Sequence, residues 1–127
     1  MVFHHVSIGV SDLDRSAKFY DAVLGALGHV RFLEKPGTLS WWPEGGGPAL
    51  WINLRDPLMV IPDDGRHIAL QARSREQVDA FHLAAIALGA TDDGPPGVRP
   101  EYRDTYYGAF VLDLDGHKLE AVHAPRE

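Results

Sequence analysis

A chain of 127 residues has the size of one domain and can bury roughly two-thirds of its unfolded surface. Its 45% hydrophobic and 24% charged residues fit a packed globular chain and not a disordered one. A formal net charge of −6 without a Lys/Arg cluster argues against a nucleic-acid backbone as partner, and the absence of Cys excludes disulfides, thiolate nucleophiles and Cys-based zinc sites. The N-terminus shows no basic segment followed by a long apolar run, and no stretch approaches the ~20 apolar residues that span a bilayer. The expectation is a cytoplasmic protein with no membrane partner.

In chain order, the first element is a strand over Phe3–Val10. Val6, Ile8 and Val10 share one face; His5, Ser7 and Gly9 share the other. Ser11 and Asp12 are N-cap candidates for a helix whose stripe is Leu13, Ala17, Tyr20, Val23, Leu24 and Leu27, closed by Gly28. "HVRFLEK", "TLSWWPE" and "ALWINLRD" then read as strands, separated by "PG" and "GGGP" turn signals. "PDDG", residues 62–65, is a linker. A second strand–helix pair begins at residue 67. Ile68, Leu70 and Ala72 face one way, and His67, Ala69 and Gln71 the other. Ser74 and Gln77 have capping-box spacing, and Val78, Phe81, Ala85 and Leu88 form the helical stripe before Gly89. "DGPPGVRPEYRD" reads as a long loop. "TYYGAFVLDL" and "HKLEAVHA" are strands joined by Asp115–Gly116, a strong hairpin signal.

The halves repeat. An offset of 62 lays His67 on His5, Phe81 on Phe19 and Ala84 on Ala22; with one gap, the "LG" at 88–89 meets the "LG" at 27–28. Such self-similarity decides the fold. The expected class is α+β: two tandem βαβββ modules, module one over 1–61 and module two over 66–124, forming one open, curved barrel of mixed sheets.

If helices cover one face of each sheet, the opposite parity lines a concave surface. His5 and His67 lie on that parity. In the last strand Leu119 and Ala121 take the helix side, which leaves Glu120 concave. In the matching strand of the first half, Trp51 and Asn53 are concave. Two imidazoles and one carboxylate suit a divalent transition metal and leave coordination positions open for substrate.

"HHVSIGVSDLDRSAKFYDAVLGALG", "RHIALQA" and "VLDLDGHKLEAV" resemble the vicinal oxygen chelate superfamily, over nearly the whole chain. That superfamily includes glyoxalase I, the fosfomycin-resistance thiol transferases, methylmalonyl-CoA epimerase, extradiol dioxygenases and the bleomycin-binding proteins. The resemblance implies metal ligands at His5, His67 and Glu120, the residues the parity argument selects. It also implies one divalent ion (Zn, Ni, Mn or Fe(II)), a small-molecule substrate and a homodimer. Where glyoxalase I supplies a fourth, carboxylate ligand, the position here falls at or beside Asn53, within "LWINL", and a neutral amide is a poor replacement for a group that binds metal and moves protons. A three-ligand site looks more like the thiol transferases or the dioxygenases. Ser7, two residues after His5, stands where the thiol transferases carry a hydroxyl, and a thiol co-substrate such as glutathione follows from that likeness.

Ser7 and Tyr107 are the candidates for proton traffic or orientation, with Tyr107 placed ahead of Tyr106. Trp51, Asn53, Gln71 and Arg103 are the candidates for substrate contact, with Arg99 beside Arg103 in a lid-like loop. His4, His29, His82, His117 and His123 read as surface or turn residues. The expected function is a metal-dependent lyase, isomerase or transferase. The alternatives are a metal-free sequestering protein of the bleomycin-binding kind and an Fe(II) dioxygenase.

Overall fold

The computed structural model describes residues 2–63 and 65–125. The chain divides into two compact units, Met1–Ile61 and Pro62–Glu127. Among the described residues each carries one α-helix and one four-stranded mixed sheet, the first also a short 3-10 turn over Pro57–Met59, so the class is α+β and the βαβββ order occurs twice. No described helix is long and apolar enough to cross a membrane.

The first unit comprises β1 (His5–Val10), α1 (Leu13–Gly25), β2 (His29–Lys35), β3 (Thr38–Pro43) and β4 (Ala49–Leu54). The sheet order is β1-β4-β3-β2, with β1 parallel to β4 and the other pairs antiparallel. The Asp12 side chain caps α1 by accepting from the Arg15 N–H at 3.0 Å, satisfying one of the orphan donors of the first turn. Gly28 ends the helical region at φ +84°, a conformation that costs a Cβ-bearing residue and not glycine. The helix buries Phe19, Tyr20, Val23 and Leu24. On the sheet side Val10, Leu39, Trp41, Leu50 and Ile52 are buried. Tyr20 meets Trp41 with ring centroids 5.8 Å apart. The Trp41 indole N–H donates to Asp21 at 2.8 Å, so this buried ring leaves no polar atom unpaired.

The second unit comprises β5 (Ile68–Gln71), α2 (Arg75–Ala87), β6 (Thr91–Val98), β7 (Tyr107–Leu112) and β8 (Lys118–His123), in sheet order β5-β8-β7-β6. Ser74 accepts from the Gln77 N–H at 3.1 Å, and the Gln77 side chain accepts from the Arg73 N–H at 2.7 Å. The reciprocal bond of the capping box thus lands one residue earlier than the standard form. Val78, Phe81 and Ala85 are buried. Leu88, expected on that stripe, is exposed, because the helix stops at Ala87 and Leu88 leaves the helical path at φ −100°. At the β7–β8 hairpin, Asp113 accepts from the Asp115 and His117 N–H groups at 3.0 and 2.8 Å, and Gly116 takes φ +93°.

One expectation fails outright. The "DGPPGVRPEYRD" stretch is not a continuous loop: its first half lies in β6. That strand is the outermost of its sheet, where a proline's missing N–H removes no ladder bond. Register irregularities between Asp92 and Gly94 and between Gly94 and Gly97 absorb the remaining strain.

Candidate metal centre

In the second unit, β8 pairs with β7 so that Glu120 lies opposite Phe110. Alternation sends Leu119 and Ala121 into the helix-side core, both fully buried, and turns Glu120 to the other face. There His67, just ahead of β5, meets it: Nε2 lies 3.1 Å from Glu120 Oε1. The glutamate side chain is only 2% exposed, against 43% for the histidine. A carboxylate buried that deeply is costly unless its oxygens are bonded. Both are, since the Tyr106 hydroxyl donates to Glu120 Oε2.

Tyr106 is therefore the tyrosine at this site, and the expectation for Tyr107 needs correcting. The Tyr107 hydroxyl donates to Asp79 on α2 at 2.6 Å, and the Arg75 guanidinium sits 4.9 Å from its ring centroid. The signal for this was already in the strand. Tyr107 shares parity with Ala109 and Val111, which face the helix; Tyr106 shares parity with Gly108 and Phe110, which do not. Burial, followed by the hydrogen bond to Glu120, pushes the Tyr106 phenol well above its ordinary 10.0, so it is a neutral donor across the physiological range. Gly108 gives this arrangement room. A Cβ there would stand 3.2 Å from Glu120 Oε2 and 3.2 Å from Tyr106 Cε1.

Around the carboxylate the same face carries Lys118, itself paired with Asp93 at 3.1 Å, and Arg99. Phe110 lies 6.1 Å from the His67 ring centroid, with Lys118 Nζ 5.0 Å and the Arg99 guanidinium 5.6 Å from its own. Arg99 also donates to the Pro95 carbonyl at 2.5 Å, so it braces the β6–β7 hairpin and is not a free clamp. Arg103 is exposed in that hairpin's connection. Gln71 is exposed on β5, on the parity of His67. His82 is not simply a surface residue: its Nε2 lies 2.9 Å from Asp92 Oδ1, tying α2 to β6.

In the first unit, β1 and β4 run in parallel register with Ser7 beside Trp51 and Gly9 beside Asn53. The His5 and Trp51 rings meet at a tilt of 31° with centroids 5.0 Å apart, and Lys35 Nζ is 5.7 Å from the indole. His4, expected to be a bystander, bonds the His5 ring: the two Nδ1 atoms are 2.9 Å apart, one donating and one accepting. With Nδ1 engaged, Nε2 is the His5 nitrogen available to a further ligand. Thr38 donates to Asn53 Oδ1 at 2.9 Å, and Asn53 Nδ2 donates to Ser7 Oγ at 2.6 Å. This chain fixes the amide and makes Ser7 an acceptor from within, leaving its own proton to be given elsewhere.

The donor set fits a divalent ion. An imidazole nitrogen and a carboxylate oxygen 3.1 Å apart have the spacing of adjacent donors around an ion bonded at about 2.0–2.1 Å. Tyr106 supplies the outer hydrogen bond that ligating carboxylates normally have. Among the described residues there is no group of three or more His, Cys, Asp or Glu that could hold a metal. His67 and Glu120 are thus a pair in their unit, while His5 belongs to the other.

Fold and site together define a class. Residues 2–121 match the family model of the Glyoxalase/Bleomycin resistance protein/Dioxygenase superfamily, and the chain belongs to that superfamily. Among curated proteins it is similar to the metallothiol transferase FosB of Shouchella clausii, with 30% identity over 94% of this chain and 77% of that protein. Among solved structures it is similar to a glyoxalase/bleomycin resistance protein from Albidiferax ferrireducens T118, with 35% identity, a TM-score of 0.87, and coverage of 97% of this chain and 99% of that one. The fosfomycin resistance protein FosX of Listeria monocytogenes, solved as a glutamate-to-glutamine mutant with Mn(II) and a dihydroxypropylphosphonic acid, shares the fold at a TM-score of 0.70. It is 22% identical, with coverage of 98% and 90%; that likeness is one of fold.

Proposed function

We propose that this protein is a divalent-metal-dependent enzyme acting on a small, oxygen-bearing substrate, with thiol transfer its nearest reaction class. The observation that carries the reading is the bond between His67 Nε2 and the buried Glu120 carboxylate, whose other oxygen is held by Tyr106. His67 and Glu120 would hold the ion, and a metal of this kind supplies Lewis acidity toward substrate oxygens. The likeness to FosB, a metallothiol transferase, supports both the metal and a thiol co-substrate such as glutathione.

The chain's own residues define the rest of the chemistry. Ser7 accepts from Asn53, so its hydroxyl proton is directed to a partner beyond Asn53, and a substrate oxygen is the partner we assign. Asn53 carries no charge and moves no proton at this position, which sets the site apart from glyoxalase I. Trp51, tilted against His5, gives the substrate an apolar wall. Tyr106 stays protonated and orients Glu120.

A second reading, metal-free sequestration of a planar molecule, draws on one observation. Phe32 and Trp42 stack with centroids 4.1 Å apart, yet remain 38% and 36% exposed. Elemental analysis separates the two. After dialysis against Zn(II) or Mn(II) and removal of the excess, the wild type should retain about one ion per chain and Glu120→Ala far less. Equal and negligible metal in both proteins would overturn the enzymatic reading and favour sequestration.

A further inference from the structure

We infer that Tyr106 is a positioning residue for the metal, acting through Glu120 by holding one carboxylate oxygen so that the other is presented beside His67. This rests on the metal reading above and goes beyond it in assigning an outer residue. Three observations meet here. The Tyr106 hydroxyl takes Oε2, while Oε1 faces the His67 Nε2 at 3.1 Å. Glu120 is almost wholly buried, so its rotamer is set by packing and by these two bonds. The missing Cβ of Gly108 gives both Oε2 and the phenol ring the room they occupy. With Oε2 held by the phenol, Oε1 is the oxygen turned toward His67. Tyr107 provides an internal control: its hydroxyl makes the same kind of bond to a carboxylate, but to Asp79 on the helix.

The experiment is Mn(II) binding to the whole chain, read as loss of the free-ion electron paramagnetic resonance signal, with circular dichroism confirming the fold of each variant. Outer-shell partners of ligands are worth about ten- to a hundredfold in metal affinity. Tyr106→Phe should therefore bind Mn(II) at least about tenfold more weakly than wild type, Tyr107→Phe should bind as wild type does, and Glu120→Gln should bind weakest. A purely structural tyrosine would change the melting temperature and leave Mn(II) affinity alone. Tyr106→Phe within about twofold of wild type, with Glu120→Gln still defective, would overturn the role of Tyr106 and leave the metal site standing. Wild type and Glu120→Gln binding equally poorly would overturn both. If Tyr106→Phe does not fold, Gly108→Ala keeps the hydroxyl but crowds Oε2. A severalfold loss in that variant supports the assignment, and wild-type affinity overturns it.

Discussion

Glu120 stays buried because two donors meet its two oxygens, and this makes its substitutions unequal. Glu120→Ala leaves the Tyr106 hydroxyl without its acceptor and opens space beside Gly108. Unsatisfied buried polar groups cost about 1–3 kcal/mol, and urea melts in the presence of a chelator should show a loss of that size. Glu120→Gln keeps an acceptor for Tyr106 and a donor toward His67, so its cost should be smaller in the same melts. The placement of Glu120 beside His67 was legible from alternation alone. The parity of β8 singles out Glu120, and the repeat singles out His5 and His67. Tyr106 was missed because two adjacent tyrosines face opposite ways, and the flanking Ala109 and Val111 had to be used to choose between them. The His4–His5 bond was not legible at all, since neighbours on a strand point apart and only the local bend ahead of β1 brings the rings together.

At the scale of elements, the helices announce themselves through their caps. Ser74 stands where α2 needs an acceptor for the Gln77 N–H. Ser74→Ala should cost about 1 kcal/mol in thermal or urea melts. The strand β6 did not announce itself, because two prolines and two glycines suppress every local strand signal. What makes it a strand is tertiary: an edge position beside β7, and a tie to α2 through His82 and Asp92. That tie has a pH signature. The hydrogen bond from His82, and then that from the Gly94 N–H, lowers the Asp92 pKa below its ordinary 3.8. A lowered carboxylate pKa contributes stability that is fully present above the unfolded value and is lost as pH falls through the folded one. Wild type should therefore melt above Asp92→Asn near neutral pH, and the gap should close as the pH drops below about 3.8.

Across the whole molecule, the duplication supplies the plan. The repeat-equivalent Phe19 and Phe81 are both buried, each under the sheet of its own unit. Phe81→Ala should cost about 3–5 kcal/mol, as large-to-small changes in a packed core do, measured as a shift in the urea midpoint at unchanged slope. The sheet faces opposite the helices have diverged where the cores have not. The first presents aromatic rings and the neutral Thr38–Asn53–Ser7 chain. The second presents a buried carboxylate under His67, Tyr106, Lys118 and Arg99. Periodicity reads cores well because burial repeats every second or every third to fourth residue. It reads these faces poorly, since their bonds run diagonally between strands.

The central claim is that His67 and Glu120 ligate one ion, and X-ray absorption on protein loaded with one equivalent of Zn(II) tests it most directly. The expected first shell includes an imidazole nitrogen and a carboxylate oxygen at about 2.0–2.2 Å, with the imidazole lost in His67→Ala. A first shell of water oxygens alone, identical in wild type and variant, would contradict it.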